Sequence, residues 1–308
     1  MNPKRWLFLW TVSIAVLTVA IEINFKYFKK QRHIVDYLVD EYIPSITNTQ
    51  GGTVILGDSV ANNAFAKLEN INGDIIDLTS NGAISLAGNY FLLQRFMASN
   101  NPESVYLIAT PELFYNTLTD NTAYLYVETV FTQPEEISSI KALAPNFYHK
   151  QHELKLNTYF ESRRNSLNFS TRFKQKSKHK AENIDSATLD GHDDFRMHLI
   201  DIAVSKQIGR TNTIDSLPKA YLENIVALCE ARNIPLTIVI GPSPTGVANA
   251  FKQSDWYEHL SSLDLALVNI GNTYQFSNYW FGRDGFHLSP RANKYYQNLL
   301  NEHVLKLY

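Results

Sequence analysis

Five short runs of this chain are nearly unbroken in apolar, β-favouring residues: Gly52–Gly57, Asp74–Leu78, Val105–Ala109, Leu236–Ile240 and Leu265–Val268. A strand with one face in water alternates polar and apolar side chains. A run such as Val105-Tyr106-Leu107-Ile108-Ala109 leaves almost nothing for water, which is the pattern of parallel strands covered on both faces. Longer segments of helical period lie between the runs; Ser216–Asn233, with Pro218 near its start, feeds directly into Pro235-Leu236-Thr237-Ile238-Val239-Ile240-Gly241. This alternation predicts an α/β chain with a doubly wound parallel sheet in a three-layer sandwich. Such folds bind ligands at the carboxyl ends of the strands, near the switch point in strand order.

A chain of 308 residues can bury one large core with an insertion, and 44% hydrophobic residues against 19% charged ones fit a folded protein. The net charge of −2 gives no global argument for a nucleic-acid partner. Cys229 is the one cysteine, which excludes an intrachain disulfide and reads as a small buried hydrophobe. From about residue 112 to 215 the alternation fails, and a stretch this long is expected to be an insertion or lid. It contains aromatic Asn116–Ala144 and basic Asn157–Lys180, where Arg163, Arg164, Arg172, Lys174, Lys176, Lys178 and Lys180 read as a solvated helix or loop. Contact with an anionic polysaccharide or lipid headgroup is the sharper alternative for that charge.

Residues 1–25 stand apart. After Lys4 and Arg5, the run from Trp6 is apolar as far as Ile21 and is interrupted by Glu22. About 20 residues are needed to cross a bilayer, so two readings compete: an uncleaved signal anchor, and a signal peptide cleaved after Thr18-Val19-Ala20. The anchor is favoured, because the tryptophans suit the interface and apolar residues continue past Ala20. Lys26, Lys29, Lys30 and Arg32 make the far flank equally basic, so charge leaves orientation open. Residues 26–50 read as a polar, partly helical stalk leading into a domain over 51–308.

Two short stretches carry chemistry. In Thr53-Val54-Ile55-Leu56-Gly57-Asp58-Ser59-Val60 a buried strand runs into a helix expected from Ala61, a junction where a serine hydroxyl can project into a crevice beside helix N–H groups. Near the C-terminus, Asp284-Gly285-Phe286-His287-Leu288-Ser289-Pro290 places a carboxylate three residues before an imidazole, just ahead of a helix over Arg291–Leu300. On a tight turn Asp284 can hold the Nδ1 proton of His287, leaving Nε2 as a base for an alcohol.

Together these stretches resemble the SGNH/GDSL hydrolases. Gly-Asp-Ser-Val resembles the first conserved block of that family and Asp284-x-x-His287 the last, in the expected order, over residues 51–304 with 112–215 unmatched. The resemblance implies a flavodoxin-like three-layer α/β/α sandwich of SGNH type, with Ser59 as nucleophile, His287 as general base and Asp284 as its orienting partner. The amides of Ser59 and of Gly82, in Thr79-Ser80-Asn81-Gly82, would form the oxyanion hole. The third block departs: Ala109-Thr110-Pro111-Glu112 stands where the family has Gly-x-Asn-Asp, and loss of that donor is worth about 3 kcal/mol of transition-state stabilisation. Thr110, Asn62 and Asn81 are the candidate substitutes.

With the N-terminal apolar run, the resemblance points to the branch that acylates or deacylates bacterial cell-envelope polymers. It implies a single-pass protein of the cytoplasmic membrane with an extracytoplasmic esterase or O-acyltransferase domain. The expected partners are an acylated glycan or envelope polymer, the membrane through residues 1–25, and proteins of envelope biosynthesis. No metal or organic cofactor is expected. A non-catalytic module that binds a glycan or scaffolds an envelope assembly is the alternative. His192, Asp193, Asp194 and His198 could ligate a metal in principle, but no further ligand spacing supports this reading.

Overall fold

The computed structural model describes residues 3–28, 34–65, 75–118, 130–131, 133–145, 194–209, 214–274, 276–282 and 285–302. The chain divides into two compact units, residues 1–32 with 150–191, and residues 33–149 with 192–308. In the first unit the described element is α1 (Pro3–Phe28). Its apolar side chains, Leu7, Phe8, Val16 and Leu17 among them, are exposed. Among the described residues no helix is long and apolar enough to cross a membrane.

The second unit is α/β and is built on one sheet of five parallel strands. In chain order its described strands and longer helices are β1 (Thr53–Gly57), α2 (Ser59–Phe65), β2 (Ile75–Asp77), α3 (Ser85–Met97), β3 (Ser104–Ala109), α4 (Pro134–Leu143), α5 (Asp194–Ile208), α6 (Ser216–Glu230), β4 (Leu236–Ile240), α7 (Thr245–Lys252), α8 (Asp255–Ser262), β5 (Ala266–Asn269) and α9 (Pro290–Leu300). The strands lie in the order β2-β1-β3-β4-β5. All five expected strands form within one or two residues of their predicted bounds. The order reverses between β1 and β3, where Gly57 is paired with Ile108, so the switch point falls at the end of the strand that leads into Ser59.

Both faces of the sheet's centre are dry, as the unbroken apolar runs of β1, β3 and β4 require. Val54, Ile55 and Leu56 are all fully buried although successive side chains point to opposite faces. On one face Ile55, Ile108 and Val239 join Ala61, Ala64 and Phe65 of α2 and Tyr296, Leu299 and Leu300 of α9 in a single cluster. No residue of α3 or α6 belongs to that cluster; these helices pack against each other, and α3 packs against β1.

The described helices of region 112–215 are joined to this core. Glu136 of α4 is buried and pairs at 2.9 Å with Arg95 of α3. Ile200 and Val204 of α5 pack on Val247 of α7. An ion pair ties down α4, and apolar side chains tie down α5. The basic residues 163–180 lie outside the described residues.

Two side chains position the strand ends. Asn89 of α3, fully buried, accepts the Gly57 N–H at 3.0 Å and donates to the Ser85 carbonyl at 2.9 Å. Asp77, at the end of β2, accepts the amide and hydroxyl of Thr79. Burial nevertheless outweighs these two bonds and raises the Asp77 carboxyl above its ordinary value of 3.8. The charged form is therefore the penalised one. Its cost is absent below the ordinary value, where folded and unfolded chains are both protonated, and complete above the raised value. Asp77→Asn keeps an acceptor for Thr79 and removes the charge. Thermal melts of the variant are expected to lie above wild type at pH 7, with the gap closing toward pH 3.

Candidate active site

Gly57 ends β1 because nothing larger fits: a Cβ there would stand 2.2 Å from the Ile108 carbonyl oxygen and 2.8 Å from the Ala61 Cβ. The missing side chain lets α2 begin immediately, with Ser59 rather than Ala61 as its first residue. Asp58 fastens this junction. Its Oδ1 accepts the Val60 and Ala61 N–H groups at 2.9 and 3.3 Å, capping α2. Its Oδ2 accepts the amide and hydroxyl of Thr110 at 2.8 and 2.6 Å, tying the end of β1 to the end of β3. The carboxylate is buried and fully used in structure.

His287 arrives from the far end of the chain. Its loop is closed by an antiparallel bridge between Phe281 and Leu288, and by Gly282 N–H donating to the His287 carbonyl at 2.7 Å. Gly285 turns with φ +72°, a conformation that favours glycine. Ser289 caps α9, accepting from Ala292 N–H at 3.4 Å. Helix α9 is in turn tied to α2, with Asn293 Nδ2 donating to the Asn63 carbonyl at 2.8 Å and Gln297 reaching the Ala64 carbonyl.

These constraints bring Ser59 Oγ to 2.8 Å from His287 Nε2. With the ring proton on Nδ1, the serine hydroxyl donates to Nε2, as a nucleophile and its base must. Asp284 lies outside the described residues. The pair opens onto a cavity of about 220 Å³ lined also by Gly82, Ala83, Glu112, Leu113, Asn116 and Phe286. Ser59 and Gly82 each begin a helical turn, so neither amide has an intrahelical acceptor. Both residues line the cavity, which makes their N–H groups suitable donors to a negative oxygen.

The three side chains considered as a third donor fare differently. Thr110 is occupied, because its hydroxyl and amide both donate to Asp58. Asn62 turns its Nδ2 to the carbonyl and hydroxyl of Thr79, at 3.3 and 3.2 Å, and does not line the cavity. Asn81 does line it, with Oδ1 accepting the Ala83 N–H at 2.9 Å. Asn116, Glu112 and Phe286 also line the cavity, and none of the three is among the site residues expected from the sequence. Asn116 stands seven residues beyond the end of β3, among many asparagines, and no spacing rule singles it out.

Competing nucleophiles and bases are disfavoured by burial. It pushes the Cys229 thiol up to about 12, leaving it un-ionised at neutral pH. Burial, with the nearby charge of Asp58, holds the Tyr296 hydroxyl well above the ordinary tyrosine range. Among the described residues no group of three or more His, Cys, Asp or Glu side chains is placed to hold a metal ion; His192 and Asp193 lie outside them.

Asp58→Asn replaces one of two accepting oxygens by an amide that opposes N–H or O–H donors. The variant is expected to lose about 2 to 4 kcal/mol of stability in urea titrations, the cost of buried donors left without acceptors. No protein-family model matches the chain, and no curated protein matches it.

Proposed function

We propose that this protein is an SGNH-type serine esterase or O-acyltransferase acting on small acyl esters. The observation that carries this reading is the 2.8 Å approach of Ser59 Oγ to His287 Nε2. It occurs at the start of a helix beside the sheet's switch point, in a cavity that also presents Gly82. Ser59 attacks the acyl carbonyl carbon as its proton passes to His287 Nε2. The carbonyl electrons move onto oxygen, where the Ser59 and Gly82 amides face the charge. Collapse of this intermediate breaks the ester bond, and His287 returns the proton to the departing alcohol. Water or a second hydroxyl then attacks the acyl-enzyme, giving its proton to His287; the acyl carbon–Oγ bond breaks, and His287 passes the proton to Ser59 Oγ, restoring both groups.

A cavity of about 220 Å³, walled by Ala83, Leu113 and Phe286, suits an acetyl or similarly short chain. Asp284 would orient His287 from three residues away. The resemblance to envelope-modifying proteins extends the proposal to an acylated extracytoplasmic glycan as substrate. It also extends to attachment at the membrane, which the exposed apolar surface of α1 supports.

The test is reaction of the full-length protein with a fluorophosphonate and with p-nitrophenyl acetate. Wild type is expected to be labelled on Ser59 and to release acetate. Ser59→Ala and His287→Ala should each lower turnover by at least about 10³-fold. Equal acetate release from Ser59→Ala would overturn the assignment. A folded wild type inert to both reagents would favour a glycan-binding module instead.

A further inference from the structure

Ser85, the residue that joins the Gly82 turn to α3, has φ 58° and ψ −170°. It is fully buried and is not glycine. Side-chain-bearing residues rarely adopt that backbone; it costs roughly 1 to 3 kcal/mol and persists only where the surroundings over-determine it. Most of the turn's hydrogen bonds are supplied from within residues 81–89. Ile84 N–H donates to the Asn81 carbonyl and Ser85 N–H to the Gly82 carbonyl. Ala83 N–H donates to Asn81 Oδ1, and Asn89 Nδ2 to the Ser85 carbonyl.

One bond comes from elsewhere. Asn116 Nδ2 donates to the Gly82 carbonyl at 2.6 Å. The orientation of its amide is fixed, because Oδ1 accepts the Leu118 N–H at 2.9 Å and the NH₂ group must then face Gly82. Leu118 is itself fully buried. The peptide between Gly82 and Ala83 is thus gripped at both ends, by Asn116 on its carbonyl and by Asn81 on its N–H. Asn116 lines the same cavity as Ser59, and Gly82 begins the gripped turn.

We propose that Asn116 is a positioning residue that clamps the strained 82–85 turn and thereby fixes the Gly82 amide for the developing oxyanion. This rests on the esterase or acyltransferase reading for its catalytic consequence, though not for the clamp itself. Without the Asn116 bond, the turn can relax at Ser85, and Gly82 N–H leaves the place where charge develops. Ground-state binding does not need that bond, so the loss falls on kcat rather than on KM.

The test uses the full-length chain carrying Asn116→Asp, Asn116→Ala, Ser85→Gly and the double change Asn116→Ala with Ser85→Gly. Asn116→Asp keeps the acceptor for Leu118 and sets an oxygen against the Gly82 carbonyl. It and Asn116→Ala are expected to lower kcat for p-nitrophenyl acetate by about 10- to 100-fold, with KM changed less than about twofold. Ser85→Gly removes the strain and also the Oγ that accepts the Ala87 N–H at 3.1 Å, so it is the background against which the double variant is read. The double variant should recover most of the Asn116→Ala loss, a rescue that a merely structural defect would not show. Amide hydrogen exchange over residues 82–87, read in the same proteins, should quicken in Asn116→Ala and report the clamp without any activity. Unchanged exchange would overturn the clamp, and a kcat within about twofold of wild type, or a double variant no better than Asn116→Ala, would overturn its catalytic role. If wild type is inert while exchange quickens in Asn116→Ala, the esterase reading falls, its catalytic consequence falls with it, and the clamp stands.

Discussion

The carboxylate of Asp58 is the constraint on which the rest of the candidate site depends. It accepts four hydrogen bonds, two from the first turn of α2 and two from Thr110 beyond β3. A buried carboxylate is costly to desolvate, and four donors offset that cost. The geometry follows from their directions: one oxygen fixes where α2 begins, the other fixes how far the end of β3 stands from it. The Ser59 hydroxyl and the cavity floor inherit both distances. Thr110 is therefore spent on architecture, which is why the polar residue following β3 is unsuited to donating to substrate.

Asn89 makes the complementary attachment from the opposite layer. It takes the last N–H of β1 and the carbonyl of Ser85, so strand end and Gly82 turn are referred to one side chain on α3. Asn116 then joins the same turn to the exit of β3. Nucleophile and turn are thus linked through β1, α3 and β3, the elements beside the reversal in strand order. The position of the crevice is a property of sheet topology, and its fine geometry is a property of three side chains, the buried Asp58 and Asn89 and the half-buried Asn116.

The strands were legible in the sequence because a parallel strand buried on both faces has only apolar side chains to show. Val105–Ala109 and Leu236–Ile240 illustrate this, and both form as expected. Ser59 and His287 were legible because each sits at a junction marked by glycine or proline, and the structure brings them together. The supporting side chains were not. Asn89, Asn116 and Thr110 act through one or two hydrogen bonds across more than 30 residues of chain, and no local periodicity records such a partnership.

Ser59 and His287 are separated by 228 residues, and α9, which follows His287, is tied to the end of α2. The pairing spans nearly the whole α/β unit, so its formation has to wait for the chain to be made as far as α9 and for β4 and β5 to join the sheet. A nascent or partly folded chain presents Ser59 as an ordinary alcohol. The Ser59–His287 contact is thereby contingent on a completed sheet, and the chemistry of that hydroxyl is set by the last steps of folding rather than by the segment that carries it.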